Sequence, residues 1–159
     1  MQRITILSTG RLKEPFYLAA AKEYGKRLSR YVKLAALEAK DEKAPERLSI
    51  QEMDGVKRKE AEALLSLLPP GCFAVALDAQ GQRFTSEAFA EFLRQRAMDG
   101  RETVFLIGGS LGLHGSALRR ADMRLSLSDM TLCHPLARVV LLEQLYRACK
   151  INAGEVYHK

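Results

Sequence analysis

The sequence predicts a single α/β domain, a mostly parallel sheet with helices on both faces. Three observations predict it. Short apolar runs alternate with longer helical segments from end to end. Two of those runs, residues 72–77 and Thr103–Ile107, are apolar at nearly every position, as strands buried on both faces must be. No linker, repeat or low-complexity stretch divides the 159 residues, a length sufficient for one domain with its own core.

Each element follows in order. Residues 3–8 form a strand rich in Ile and Leu, turned by Thr9-Gly10. Pro15 opens a helix running to residue 28 or 29, because its fixed φ suits a first helical turn. Residues 32–39 are a second strand. Residues 40–47 are charged, contain Pro45 and form an exposed loop. Ser49 caps a second helix, with Glu52 three residues on as its capping-box partner. Near residue 67 that helix meets Pro69-Pro70-Gly71 and stops. Residues 72–77 are the third strand, closed at Leu77-Asp78 and turned by Gln80-Gly81. Ser86 caps a helix through Met98, ended by Asp99-Gly100. Thr103–Ile107 is another buried strand, Gly115–Arg120 a short helix, and residues 123–127 a further central strand. Pro135 begins the last helix, which runs to Ile151, and Gly154 ends the regular structure.

The chain is 47% hydrophobic and 28% charged, with a net charge of +6 and a pI near 9.4. That balance favours a polyanionic partner, nucleic acid above all, although solubility alone also accounts for it. No run approaches the roughly 18 apolar residues of a membrane span. The N-terminal segment lacks a signal-peptide pattern. Cys72, Cys133 and Cys149 show no metal spacing and no CxxC. Reduced thiols, a cytoplasmic location and no bound metal are the expectations.

Polar groups crowd where strands end. Gly108-Gly109 follows a buried strand, where bare backbone admits a ligand closely. The glycine spacing is neither GxGxxG nor a P-loop, and no acidic residue stands at the ribose distance, so a conventional dinucleotide site is disfavoured. Asp78 is equally suited to a ligand hydroxyl or to an ordinary turn. Residues 125–132, Leu-Ser-Leu-Ser-Asp-Met-Thr-Leu, suit a flat ligand with polar edges, such as adenine. His134 and Arg138 are four apart on the last helix and together suit a phosphate or a polarised base carbonyl. Glu143 and Arg147, also four apart, read as helix support. Cys133 beside His134 lacks a third orienting group, which argues against a cysteine nucleophile. The terminal Tyr157-His158-Lys159 is either an expendable tail or a set that stacks on a base, moves a proton and contacts phosphate.

The segments IGGSLGL, LSLSDMTLCHPLARVVLLEQLYRA and GEVYHK, with ITILSTGRLKEPF and DEKAPE upstream, closely resemble the small SPOUT-class rRNA methyltransferases. The resemblance covers essentially the whole chain. It implies an α/β knot, in which the C-terminal segment threads a loop to form a trefoil, a rare exception to ordinary connection rules. It implies methylation of N3 of a pseudouridine in a large-subunit rRNA stem-loop, with S-adenosyl-L-methionine as methyl donor. The cofactor would be held by Leu77, Gly108, Leu127, Ser128, Asp129, Met130, Thr131 and Leu132. Catalysis would fall to His158 as base, Arg138 as stabiliser of carbonyl charge and Tyr157 as orienter of the base. His134 would be the rival base, and His134, Arg147 and Lys159 substrate contacts. It further implies a homodimer with the last helix in the interface through Leu136, Val139, Val140 and Leu145, and a tail that serves the partner's pocket. Two other classes fit the composition. One is an RNA-binding protein without catalysis; the other is a small-molecule enzyme with a nucleotide cofactor, which the high pI does not favour.

Overall fold

The computed structural model describes residues 1–157, so the expectations for His158 and Lys159 lie outside the described residues. The elements are β1 (Arg3–Thr9), α1 (Pro15–Leu28), β2 (Lys33–Ala39), α2 (Ile50–Ser66), β3 (Phe73–Arg83), α3 (Ser86–Asp99), β4 (Thr103–Ile107), α4 (Gly115–Arg120), β5 (Met123–Ser126) and α5 (His134–Asn152). The strands form one five-stranded sheet in the order β2-β1-β4-β3-β5, and every pairing is parallel.

Side chains of successive strand residues point to opposite faces, and the two cores follow that alternation. Ile4, Ile6, Phe105 and Ile107 pack with Leu28, Phe89, Leu93, Leu141 and Leu145, so α1, α3 and α5 cover one face. Leu7, Val104 and Leu106 pack with Leu64 of α2 on the other. Central β4 is buried along its whole length, which explains its unbroken apolar run.

Four expectations are corrected. First, β5 is an edge strand, not a central one: it pairs only with β3, and Arg124 is exposed. Second, β3 does not close at Leu77. Leu77 and Gln82 both oppose Leu125, so residues 78–81 bulge out and the strand resumes to Arg83. Gly81 makes this possible, since a Cβ there would lie 2.7 Å from the Arg124 carbonyl carbon and the Leu125 nitrogen. Third, α3 is capped by Thr85, whose hydroxyl accepts the Ala88 N–H at 3.1 Å; Ser86 instead donates to Gln144 Oε1 at 2.9 Å. Fourth, Leu145 is fully buried within the chain and belongs to its core, not to an interface. The Ser49–Glu52 capping box is present with both reciprocal bonds.

The caps give a stability prediction. Thr85→Ala should lower stability by about 1 kcal/mol in urea unfolding, the usual cost of a lost N-cap. Ser86→Ala should cost less, because no backbone N–H of the helix depends on that hydroxyl. The reverse ranking would restore Ser86 as the cap.

Candidate functional site

In an open parallel sheet ligands gather at the carboxyl ends of strands. At the ends of β3, β4 and β5 the chain forms an open cavity of about 750 Å³, within the range of roughly 300–1,000 Å³ usual for cofactor pockets. Leu77, Gly108, Leu127, Ser128, Met130, Thr131, Leu132 and His134 all line it, so the three strand ends singled out in the sequence do converge. The wall also includes residues the sequence reading missed. Phe16 and Tyr17, at the start of α1, close one side, and the Tyr17 hydroxyl lies 3.7 Å from Cys133 Sγ. The available signal was an aromatic pair just after Pro15, close behind the end of β1.

The glycines act differently than expected. A Cβ on Gly108 would meet the turn's own backbone, 2.6 Å from the Gly112 carbonyl carbon and 2.8 Å from the Leu113 nitrogen. Gly109 and Gly112 form an isolated bridge, with the Gly112 N–H donating to the Gly109 carbonyl at 3.0 Å. Gly112 has φ +81°, a conformation that glycine adopts without strain. Gly108 is therefore required first for closing the turn that forms the wall.

The loop after β5 is shaped by its own hydroxyls. Ser126 Oγ donates to the Ser128 carbonyl at 3.0 Å, and Ser128 Oγ accepts the Met130 N–H at 3.0 Å. Asp129 departs from its expected place. Its carboxylate is exposed, bonded to Arg83 Nη1 at 2.6 Å, and does not line the cavity. Met130, although on the wall, is also largely open to solvent.

His134 and Arg138 have different surroundings. His134 is half-buried on the cavity wall. Burial pulls its pKa below the ordinary histidine range, with Asp41 and Glu14 opposing, so the ring is neutral at pH 7. Arg138 is buried; its Nη1 donates to Glu38 Oε1 at 2.8 Å and to Ser8 Oγ at 3.3 Å. Its Nε has no partner among the described residues. Helical spacing put the two residues near one face, but the guanidinium is committed to the ends of β1 and β2.

Tyr157 is anchored elsewhere. Its hydroxyl donates to Glu143 Oε1 at 3.2 Å, and its ring meets Tyr146 edge-on at 4.9 Å. The Arg147 guanidinium lies 4.8 Å from the ring centroid, and Arg147 Nη2 donates to Glu143 Oε1 at 2.7 Å. Burial, and then the Glu143 charge, push the Tyr157 phenol up to about 12, so it stays protonated. Glu143, read from sequence as helix support, is the hub of this cluster. Nine residues of helix, about 13 Å of rise, separate it from His134. The described part of one chain therefore does not bring Tyr157 into its own cavity.

Among the described residues no His/Cys/Asp/Glu group is arranged to hold a metal, and no helix is long and apolar enough to cross a membrane.

Known proteins resemble this chain over its whole length. A family profile described as "Predicted SPOUT methyltransferase" matches residues 2–158. Proteins named ribosomal RNA large subunit methyltransferase H from two strains of Desulfitobacterium hafniense, DSM 10664 / DCB-2 and Y51, are each 46% identical over 160 residues, covering 100% of both chains. Among solved structures, a probable methylase family protein from Haemophilus influenzae Rd KW20 superposes with a TM-score of 0.56 at 13% identity, over 99% of this chain and 71% of that one. A putative methyltransferase from Legionella pneumophila, in complex with the bound cofactor SAM, gives a TM-score of 0.50 at 11% identity, over 92% of this chain and 66% of that one. At such identities these two speak to the fold alone.

Proposed function

The chain belongs to the SPOUT methyltransferase family, and from that premise we propose that it transfers a methyl group from S-adenosylmethionine to N3 of a pseudouridine in a large-subunit rRNA stem-loop, on the assembled ribosome. The observation that carries the reading is the cavity of about 750 Å³ where three strand ends meet. Its donor set suits the cofactor: leucines and Met130 for a flat ring, and the hydroxyls of Ser128 and Thr131 with glycine-turn backbone for polar edges. S-adenosylmethionine supplies a methyl group already activated on a sulfonium, so positioning is the protein's main task.

The leucine wall excludes water from the reacting centre, and the Gly108–Gly112 turn sets the depth of the pocket. His158 takes the N3 proton, with His134, neutral at pH 7, as the rival base. Tyr157 orients the base as a neutral phenol. Arg138, held at the ends of β1 and β2 through Glu38, stabilises negative charge developing on the base carbonyls. Arg147, paired with Glu143, contacts the substrate beside Tyr157. Lys159 contacts phosphate. The separation between Tyr157 and the cavity of its own chain favours a homodimer in which each tail serves the partner's pocket. The trefoil knot and a cytoplasmic location belong to the same reading.

The test is transfer of labelled methyl from S-adenosylmethionine to ribosomes lacking the modification, followed by digestion and identification of the labelled nucleoside. Label in N3-methylpseudouridine of large-subunit rRNA is the expected result. RNA binding without transfer would favour the non-catalytic reading. With a net charge of +6, affinity for rRNA should also fall steeply with salt, by roughly 10³ between 50 and 200 mM if about six phosphates are contacted. A salt-independent affinity would remove the phosphate contacts from the account.

A further inference from the structure

Behind the cavity wall lies a carboxylate that the proposed reaction does not use. Glu60, on α2, is only 6% exposed. Its Oε2 sits 2.6 Å from the position a Cβ on Gly109 would occupy, so the carboxylate fills the side-chain space of a residue that lines the cavity. Among the described residues no hydrogen-bond donor or cation pairs with it, and its oxygens are not wholly sealed from solvent. The charges that face it, Asp41 and Glu42 from the segment after β2, are both negative. From β1 and the turn, the groups packed here are Thr9 and Gly109, which do not titrate. A buried acid with negative neighbours and no cation is an incomplete electrostatic arrangement.

We propose that Glu60 is the buried countercharge that makes the cavity prefer the cationic sulfonium form of the methyl donor over its neutral thioether product. The inference rests on the cofactor reading above. When the methyl leaves, the C–S electron pair stays on sulfur and the ligand loses its positive charge. The attraction to Glu60 then ends, and product release is favoured. Burial, assisted by Asp41 and Glu42, raises the Glu60 carboxyl to about 7. Near neutral pH it therefore gains or loses its proton according to what binds next to it. A cation favours the ionised form, so binding the sulfonium below pH 7 releases a proton, and its affinity rises with pH until Glu60 is ionised without help. Glu14, Asp78, Tyr17, Cys133 and His134 also line the cavity; all five are common to wild type and the Glu60→Gln variant, so a difference between the two reports Glu60 alone.

The experiment is calorimetric titration of wild type and Glu60→Gln with S-adenosylmethionine and with S-adenosylhomocysteine. It spans pH 6 to 8.5, in two buffers of different ionisation enthalpy. In wild type the preference for the sulfonium over the thioether should grow with pH by on the order of tenfold, the scale of one unit charge acting through an effective dielectric near 20. Net proton release should accompany sulfonium binding near pH 6.5. In Glu60→Gln the preference should be flat and the proton release from this group absent. An unchanged pH dependence in Glu60→Gln would overturn the proposal. So would the absence of proton release in wild type, a measurement that needs no variant. Should wild type bind neither ligand at any pH, the cofactor reading itself fails.

Discussion

Gly108→Ala should weaken binding of S-adenosylmethionine roughly 10- to 100-fold, the equivalent of about 1–3 kcal/mol of overpacking transferred to the pocket, while the sheet remains folded. The added methyl has no room: it would stand 2.6 Å from one backbone atom of the same turn and 2.8 Å from the next. Backbone cannot move aside as a flexible side chain does, so the segment from Gly109 to Leu113 must shift, and that segment is cavity wall. The core is spared because β4 ends at Ile107, one residue earlier. Isothermal titration with the cofactor, alongside far-UV circular dichroism, separates the two effects. Binding within twofold of wild type would mean that the turn is not part of the binding wall.

His158→Ala should lower the rate of methyl transfer by about 10²–10⁴, the usual contribution of a positioned general base, with cofactor affinity unchanged. The base on the substrate must lose its N3 proton before or as the new bond forms, and imidazole is the side chain suited to that near pH 7. The parallel variant His134→Ala tests the alternative. His134 lines the cavity directly and is neutral, so a larger loss in that variant, with His158→Ala unaffected, would transfer the role. Single-turnover kinetics on ribosomes distinguish these outcomes, because a loss confined to the chemical step leaves substrate affinity intact. A fall in cofactor affinity in His158→Ala would instead place the tail in the binding wall.

How much of this was legible in the sequence differs by level. The elements were readable because their signals are local. Pro15, the Ser49–Glu52 box, the Pro69-Pro70-Gly71 stop and Gly100 each act within a few residues. The errors fell where a local signal has two meanings. Gln80-Gly81 reads as a turn, yet Gly81 serves a close approach to β5 that no neighbouring residue announces. Thr85-Ser86 offers two adjacent hydroxyls, and only the direction of chain entry chooses between them as cap.

The site divides in the same way. Strand ends that gather ligands can be named from apolar runs followed by glycine or serine, and all but one of the expected cofactor residues line the cavity. Asp129 is the exception, because its partner Arg83 is 46 positions away and brought near by the β3 bulge. The surroundings of Arg138 were hidden for a related reason. Its partners Ser8 and Glu38 are 130 and 100 positions distant, and helical spacing carries no information about either. The same holds for Glu143, whose contact with Tyr157 changes it from a helix-surface charge into the hub of a cluster.

The sequence by itself therefore determined the α/β class, the order of elements, the strand ends that meet and the likeness to SPOUT methyltransferases. Backbone propensity, capping and burial period are encoded over short windows. Only the tertiary structure decided that β5 lies at the edge, that Arg138 turns to Glu38, that Tyr157 is anchored away from its own cavity and that Glu60 stands behind Gly109. Those outcomes depend on which distant segments share space, and the free energy of a buried charge is set by those neighbours rather than by adjacent residues in the chain.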